Sequence, residues 1–228
     1  MIDLHSHTTF SDGELIPAEL VRRAVVQGYA AIGLTDHVDF SNVEYVLTNL
    51  KKMNLEGEMN IRVVIGVEIT HIPPAKIEKL VTKAKQLGAE LIVIHGETMM
   101  EPVAPGTNSA AVRLGDVDIL SHPGFISIED AEIARDNEVY LEITSRQGHC
   151  MTNGYVAKIA NEAGAMLVVN SDAHSPTDLI TKKKAVDIAM AAGLDKNDAD
   201  KATGANPLKL LKSLGAKTVK GTAFDYKC

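Results

Sequence analysis

Six of the eight histidines in this chain come directly after short apolar runs. They are His5, His7, His37, His95, His122 and His174. A further apolar run, 63–67, ends at the carboxylate of Glu68. Apolar strands are typical of a buried parallel sheet, and side chains that follow them gather at the carboxyl-end rim of a parallel barrel. Imidazoles and carboxylates that converge there are ligands for Zn, Mn or Fe, so the pattern predicts a multinuclear metal centre.

Two pairs of these candidate ligands share a spacing of two residues. His5 and His7 point to the same face of the first strand because side chains alternate along a strand. Asp172 and His174 repeat the spacing after the last strand. A closed barrel makes its first and last strands neighbours, so we expect the two pairs to meet. A single histidine on an apolar strand is more often a core residue than a ligand, but burying six imidazoles without partners would be costly.

Strands and helices that position these residues alternate along the chain. Strands are predicted over seven segments, which are 2–6, 30–36, 62–69, 90–95, 117–121, 138–144 and 165–171. Helices are predicted over 17–27, 43–53, 75–87, 108–114, 152–163 and 178–192. This alternation predicts right-handed crossovers and a parallel sheet. An open doubly wound sheet would collect its ligands at one switch point, whereas five or six strand ends carry candidates here, which favours a barrel.

Length and composition are consistent with one domain. The chain has 228 residues and a net charge of −7, and single α/β barrels run to roughly 250 residues. The acidic balance argues against a broad nucleic-acid-binding face, but bound cations would permit a small phosphorylated substrate. The sequence shows no signal peptide and no apolar run of membrane-spanning length. Its two cysteines fit a reducing compartment, so we expect a cytoplasmic protein with a domain over 1–214 and a C-terminal tail over 215–228.

Seven short motifs follow one another along the chain. They are His5-Ser6-His7, Ser11-Asp12-Gly13, Thr35-Asp36-His37, Gly66-Val67-Glu68, Ile94-His95-Gly96, Ser121-His122-Pro123 and Ser171-Asp172-Ala173-His174. Together they resemble the motifs of PHP-domain phosphoesterases (polymerase and histidinol phosphatase), and the resemblance extends from residue 2 to about residue 180. It implies an α/β fold, a distorted (β/α)7 TIM-like barrel in a single domain, with two or three divalent ions (Zn, Mn or Fe) at its carboxyl-end rim.

The resemblance also implies a ligand set for each ion. The ligands of the first ion would be His5, His7, Glu68 and Asp172. Glu68 would bridge to a second ion, held also by His95 and His122, and the third ion would be held by Asp12, His37 and His174. Some family members have a histidine where this chain has Asp12, so the identity and occupancy of the third metal stay open. In such a cluster, ions roughly 3.5–4 Å apart clamp a phosphate while a bridging water attacks phosphorus.

Residues beyond these ligands are harder to assign from sequence. Arg146 is the arginine that follows a strand on the active rim, where phosphate contact and an ordinary salt bridge are equally good interpretations. With Glu68, Asp172 and His174 it is expected to act in catalysis. His149 is either a proton donor to the leaving group or, by preference, an exposed loop histidine. The loop over 97–108 is long enough for a lid, but a static surface loop fits equally well.

The leading functional hypothesis, implied by the resemblance, is a histidinol-phosphatase-like hydrolysis of phosphate monoesters of a small metabolite or nucleotide. One alternative is a binuclear hydrolase of the amidohydrolase type, which also places His-x-His on the first barrel strand. Others are a short-oligonucleotide phosphoesterase or exonuclease and, least favoured, a non-catalytic metal-binding domain. We expect a small phosphorylated substrate and neither long nucleic acid nor a membrane as partner. The oligomeric state stays open.

Overall fold

A single parallel sheet is the centre of the fold. The computed structural model describes residues 1–53 and 59–218. The strands within them are β1 (Ile2–Asp3), β2 (Ala31–Leu34), β3 (His37–Val38), β4 (Arg62–Ile69), β5 (Leu91–His95), β6 (Ile119–Ser121), β7 (Tyr140–Thr144) and β8 (Leu167–Asn170). They pair in parallel in the order β1-β2-β4-β5-β6-β7-β8, and β3 pairs with β4. All seven predicted strands are present, and the short strand β3, which was not predicted, follows the second of them.

The first and last strands meet through isolated contacts rather than a continuous ladder. Ser6 forms a parallel bridge with Ala173. The backbone N–H of Asp172 donates a hydrogen bond to the carbonyl oxygen of His5 at 3.0 Å. These contacts bring the beginning and end of the sheet together, so the molecule is a nearly closed, distorted (β/α)7 barrel in one domain. The predicted fold class is confirmed.

Helices cover the outside of the sheet. They are α1 (Pro17–Val26), α2 (Val43–Lys51), α3 (Ile77–Gln86), α4 (Thr107–Val112), α5 (Ile128–Asp136), α6 (Asn153–Ala163), α7 (Lys182–Ala191), α8 (Lys196–Asp200) and α9 (Asn206–Thr218). A 3₁₀ turn over Pro74–Lys76 precedes α3, another over His149–Thr152 precedes α6, and a π-helical turn over Lys201–Ala205 joins α8 to α9. The predicted helices correspond to α1–α4, α6 and α7. Among the described residues, no helix is long and apolar enough to cross a membrane.

The amino-terminal end of the barrel is closed by α9. Leu210, Leu211 and Leu214 of this helix form one buried apolar cluster with residues of the barrel interior, which are Leu4, Ala31, Val64, Leu91, Val93, Ile119, Tyr140 and Val168. Four of these are the first residues of β2, β5, β6 and β7. The helix continues across position 215, where the sequence predicted a boundary between domain and tail. The rest of the predicted tail, 219–228, lies outside the described residues.

Candidate metal centre

The carboxyl ends of the strands bring all nine predicted ligands to one mouth of the barrel. Together with His149, their ligand atoms form four groups, and within each group all atoms lie within 4.8 Å of one another. The groups are His7, Asp12, His37 and His174; His5, His7 and Asp172; His5, Glu68 and His122; and His95, His122 and His149. Shared members join these groups into one cluster. It includes His149, which is buried, so the interpretation of this residue as an exposed loop histidine was wrong.

Glu68, fully buried near the end of β4, is at the centre of this cluster. Its Oε2 atom lies 3.1 Å from His5 Nε2 and 3.3 Å from His7 Nε2. The same oxygen is 3.0 Å from His37 Nδ1. The other carboxylate oxygen of Glu68, Oε1, lies 3.7 Å from His122 Nε2. One carboxylate thus faces imidazoles that belong to all four groups, which is the position required of a bridging ligand.

Asp172 and His122 reach the mouth through an unusual backbone conformation. Each follows the end of a strand, and their φ angles are 52° and 27° respectively. Left-handed φ values cost free energy in residues other than glycine and persist mainly at functional sites. The side chain of Asp172 ends with Oδ1 3.2 Å from His7 Nε2 and Oδ2 3.6 Å from His122 Nε2.

Hydrogen bonds outside the cluster fix which nitrogen of three histidines faces inward. His5 Nδ1 lies 2.7 Å from Glu142 Oε2. His95 Nδ1 is 3.1 Å from the carbonyl oxygen of the next residue, and His174 Nδ1 is 2.9 Å from a carbonyl oxygen two residues earlier. Because these oxygens only accept, each Nδ1 carries the proton. In the neutral ring each Nε2 then presents its lone pair to the mouth, which is the tautomer that metal-binding histidines need.

Glu142 is a residue that the sequence analysis missed. It is fully buried in the middle of β7, and besides His5 its Oε2 accepts a hydrogen bond from Asn170 Nδ2 at 2.9 Å. The available signal was a carboxylate inside the strand Tyr-Leu-Glu-Ile-Thr, all of whose residues are buried. Glutamate is almost never fully buried unless it is paired, so this position required a partner.

Several buried polar atoms of the cluster have no hydrogen-bond partner among the described residues. They are Glu68 Oε2, Asp172 Oδ1 and the Nδ1 atoms of His7, His37, His122 and His149. Glu68 Oε2 has three imidazole nitrogens within 3.3 Å, yet none is oriented for a hydrogen bond. Ligand atoms about 2.0–2.2 Å from a shared ion lie about 3.0–3.5 Å from one another. The spacing and the nitrogen and oxygen donors therefore fit divalent cations.

The charges of the metal-free cluster depend on one another. Burial would raise the pKa of Glu68, but His5 and His37 hold it well below its usual range. Burial would lower the pKa of His37, but Glu68 raises it to about 9. The pKa of His122 is well below normal because the ring is buried and lies beside His95. Without metal, the carboxylate charge therefore holds protons on part of the cluster, and a bound cation would replace them.

Two connected spaces lie above the cluster. A cleft of about 30 Å³ is lined by Asp12, His37, His95, Glu101, His122, Arg146, His149, Asp172 and His174. Its volume suits ions and water. Beside it is a more open groove of about 370 Å³, lined by Ser11, Asp12, His37, Asn42, Thr70, His71 and Glu101. The groove is in the size range of small-molecule sites.

Arg146 lines the cleft and also makes a salt bridge. Its Nη1 atom lies 3.4 Å from Asp178 Oδ2. That oxygen also accepts backbone hydrogen bonds from His174 at 3.0 Å and Ser175 at 2.7 Å. The salt bridge is therefore present, and the guanidinium also lies at the wall of the cleft. Contact with phosphate stays a prediction.

The loop over 97–108 is anchored and carries a second residue that the sequence analysis missed. Glu97 Oε1 accepts hydrogen bonds from the backbone N–H groups of Gly106 at 3.0 Å and Asn108 at 2.9 Å. From this loop Glu101 reaches the mouth, where its Oε2 lies 3.2 Å from His95 Nε2. Loop residues follow no periodic pattern, so no sequence signal distinguished Glu101 from its neighbours.

Comparison with known proteins agrees with this geometry. A family model described as PHP domain matches residues 3–102. An uncharacterized protein of Methanocaldococcus jannaschii is 50% identical over 215 residues, covering 93% of this chain and 99% of that protein. The chain belongs to the PHP family. A probable phosphatase of Shewanella halifaxensis is 32% identical over 202 residues, covering 76% of this chain and 77% of the relative.

Solved structures have the same fold as this PHP-family chain. The TM-score is 0.69 against a chain of archaeal ribonuclease P with mature tRNA, at 18% identity, with 100% and 98% of the two chains covered. It is 0.63 against histidinol phosphate phosphatase from Lactococcus lactis in complex with zinc, L-histidinol and phosphate, at 16% identity, with 85% and 94% covered. At these identities the likeness shows the fold alone, and the fold and family predicted from sequence are confirmed.

Proposed function

We propose that this PHP-family protein is a metal-dependent phosphoesterase that hydrolyses phosphate monoesters of small molecules. The observation that carries the proposal is the contiguous cluster of imidazoles and carboxylates at one barrel mouth, with Arg146 at the wall of the same cleft. The relative described as a probable phosphatase supports this reaction class.

The proposed centre takes two or three Zn, Mn or Fe ions. His5, His7, Glu68 and Asp172 would hold the first, Glu68, His95 and His122 the second, and Asp12, His37 and His174 the third. Bound divalent ions supply charge stabilisation for phosphate and lower the pKa of water toward neutrality. The other tasks fall to the protein: Glu142 holds the His5 ring in its metal-facing tautomer, and Arg146 binds phosphate with its guanidinium.

The proposed substrate is a small phosphorylated molecule. Its phosphate would enter the cleft and its alcohol part would lie in the adjoining groove. Ser11, Asn42 and Thr70 offer uncharged hydrogen-bonding groups there, which suits a polar leaving group. The net charge of −7 argues against a broad basic surface for long nucleic acid or a membrane.

A second candidate function is action on RNA. It is favoured by the fold match to a chain of archaeal ribonuclease P, which covers this chain completely. A short RNA would present the same terminal phosphate to the cleft. Measurement of metal-dependent cleavage of short RNA, beside hydrolysis of a small monoester, separates the two candidates.

The decisive experiment uses protein stripped of metal and reloaded with Mn²⁺ or Zn²⁺. It should release phosphate from p-nitrophenyl phosphate, a chelator should stop the reaction, and added metal should restore it. If the loaded protein cleaves amides or lactones but no phosphate ester, the amidohydrolase alternative replaces the proposal. If a short oligonucleotide is cleaved while small monoesters are left intact, the RNA candidate replaces it.

A further inference from the structure

His149 is a buried histidine that none of the three proposed ligand sets uses. Its ring centroid lies 4.3 Å from that of His122 and 5.9 Å from that of His95. The three residues offer ligand atoms that all lie within 4.8 Å of one another. The Nδ1 atom of His149 has no hydrogen-bond partner among the described residues. Buried polar atoms are normally satisfied, so this nitrogen requires a partner beyond those that the described residues supply.

Glu101 approaches two of the same three histidines from the loop between β5 and α4. Its Oε2 atom lies 3.2 Å from His95 Nε2, and its Oε1 atom lies 3.4 Å from His149 Nε2. His95 donates its Nδ1 proton to a backbone carbonyl, so its Nε2 is the atom available to a metal. The distance from Glu101 to that atom is the distance expected between two ligands of one ion.

Packing between the two loops maintains this arrangement. Gly148 precedes His149 and has a φ of 88°, and a Cβ atom built on it would lie 2.9 Å from Cε of Met100. Met100 is the neighbour of Glu101 in the chain, and Glu97 anchors their loop through two backbone hydrogen bonds. Glycine thus allows the segments that carry His149 and Glu101 to pack directly against each other, which directs both side chains to the mouth.

We propose that His149 and Glu101 are ligands of the second metal ion. His95, His122 and His149 would supply three imidazoles from one ligand group. Glu101, which contacts His95 and His149, would supply one carboxylate beside the bridging Glu68. The inference rests on the metal centre of the proposed function and adds two ligands to it. Imidazole-rich donor sets favour Zn²⁺ and similar ions over Mg²⁺ or Ca²⁺, and additional ligands hold an ion more tightly. The second ion is therefore expected to be the last removed by a chelator.

The test is a titration of metal-free protein with Zn²⁺ against a chromophoric chelator. The variants are Glu101→Gln and His149→Ala, with Glu129→Gln as an exposed-carboxylate control. Each of the two test variants should weaken the affinity for one zinc ion by at least about tenfold, since loss of an outer partner of a ligand already costs about 10–100-fold. The Glu129→Gln control should stay within about twofold of wild type.

If both Glu101→Gln and His149→Ala bind zinc with the affinity and the number of ions of the wild type, the inference is overturned. The proposal of a metal centre is then unaffected. A wild-type protein that binds no zinc would instead overturn the centre itself, so the two failures are distinguishable.

A second measurement requires no variant and therefore does not depend on whether a variant folds. In crystals of the zinc-loaded wild-type protein, anomalous density should place an ion about 2.0–2.2 Å from both His149 and Glu101. The proposal would be refuted by an ion that is held by His95 and His122 but lies more than about 3 Å from the side chains of both His149 and Glu101.

Discussion

The two ends of this barrel are formed by the same strands but have opposite chemistry. At the carboxyl end, histidines and carboxylates are buried together, and several of their polar atoms have no hydrogen-bond partner among the described residues. At the amino end, Leu210, Leu211 and Leu214 of α9 pack on the apolar barrel interior. Burying apolar surface stabilises a fold, whereas burying unpaired polar atoms costs free energy. We therefore expect substitutions in the α9 cluster to affect mainly stability and substitutions at the carboxyl end to affect mainly metal binding.

The largest effect is expected from removing a ligand at the carboxyl end. His95→Ala should reduce affinity for the second ion by more than about 100-fold, because even outer partners of ligands contribute about 10–100-fold. Phosphatase activity should disappear with the metal. Metal analysis and p-nitrophenyl phosphate assays measure the two effects, and chemical unfolding of the metal-free form checks that the variant still folds. Full activity in this variant would contradict the ligand assignment.

A substitution at the amino end should lower stability and leave metal binding and activity unchanged. Leu214→Ala removes a fully buried side chain from the α9 cluster and should lower the free energy of unfolding by about 2–5 kcal/mol. Denaturant unfolding of the metal-free protein measures this loss. Zinc affinity and kcat of the folded protein should match wild type. A large loss of metal affinity would show that the two ends are energetically coupled.

A smaller effect is expected at the wall of the cleft. Arg146→Ala should raise KM for a phosphorylated substrate by about tenfold, since a hydrogen bond to a charged group contributes about 1.5–3 kcal/mol. Bound metal should stay at the wild-type level. Arg23→Ala on the outer face of α1 is the control, because Arg23 pairs with Glu19 one turn away on the same helix. If KM does not change, Arg146 serves only in its salt bridge with Asp178.

The last prediction concerns the pH dependence of metal binding. Burial lowers the pKa of His37, but Glu68 raises it to about 9 in the metal-free protein. Below that pH a metal ion must displace the proton, so apparent affinity should rise with pH, by up to about tenfold per unit for each proton displaced, and level off above about pH 9. Calorimetry in buffers of different ionisation enthalpy counts the released protons. An affinity that is flat between pH 6 and 9 would contradict this coupling.

Much of the mouth could be predicted because its ligands follow strands. A strand gives direction to its side chains, and parallel strands end at one rim, so His5, Glu68 and His95 could be assigned to a common site from sequence alone. The same reasoning did not predict that α9 closes the amino-terminal end of the barrel, because a helix that packs against a barrel end has an ordinary amphipathic pattern. It also placed a domain boundary at position 215, within that helix.

The sequence by itself determined the fold class, the family and the convergence of nine candidate ligands. Only the tertiary structure decided that Glu142 orients His5, from which it is separated by 137 positions in the chain, and that Glu101 and His149 join the mouth. The physical reason is that strand periodicity is a local property that residue types reveal. The direction of a loop side chain depends on contacts between distant segments, such as Met100 against Gly148, and no local pattern encodes them.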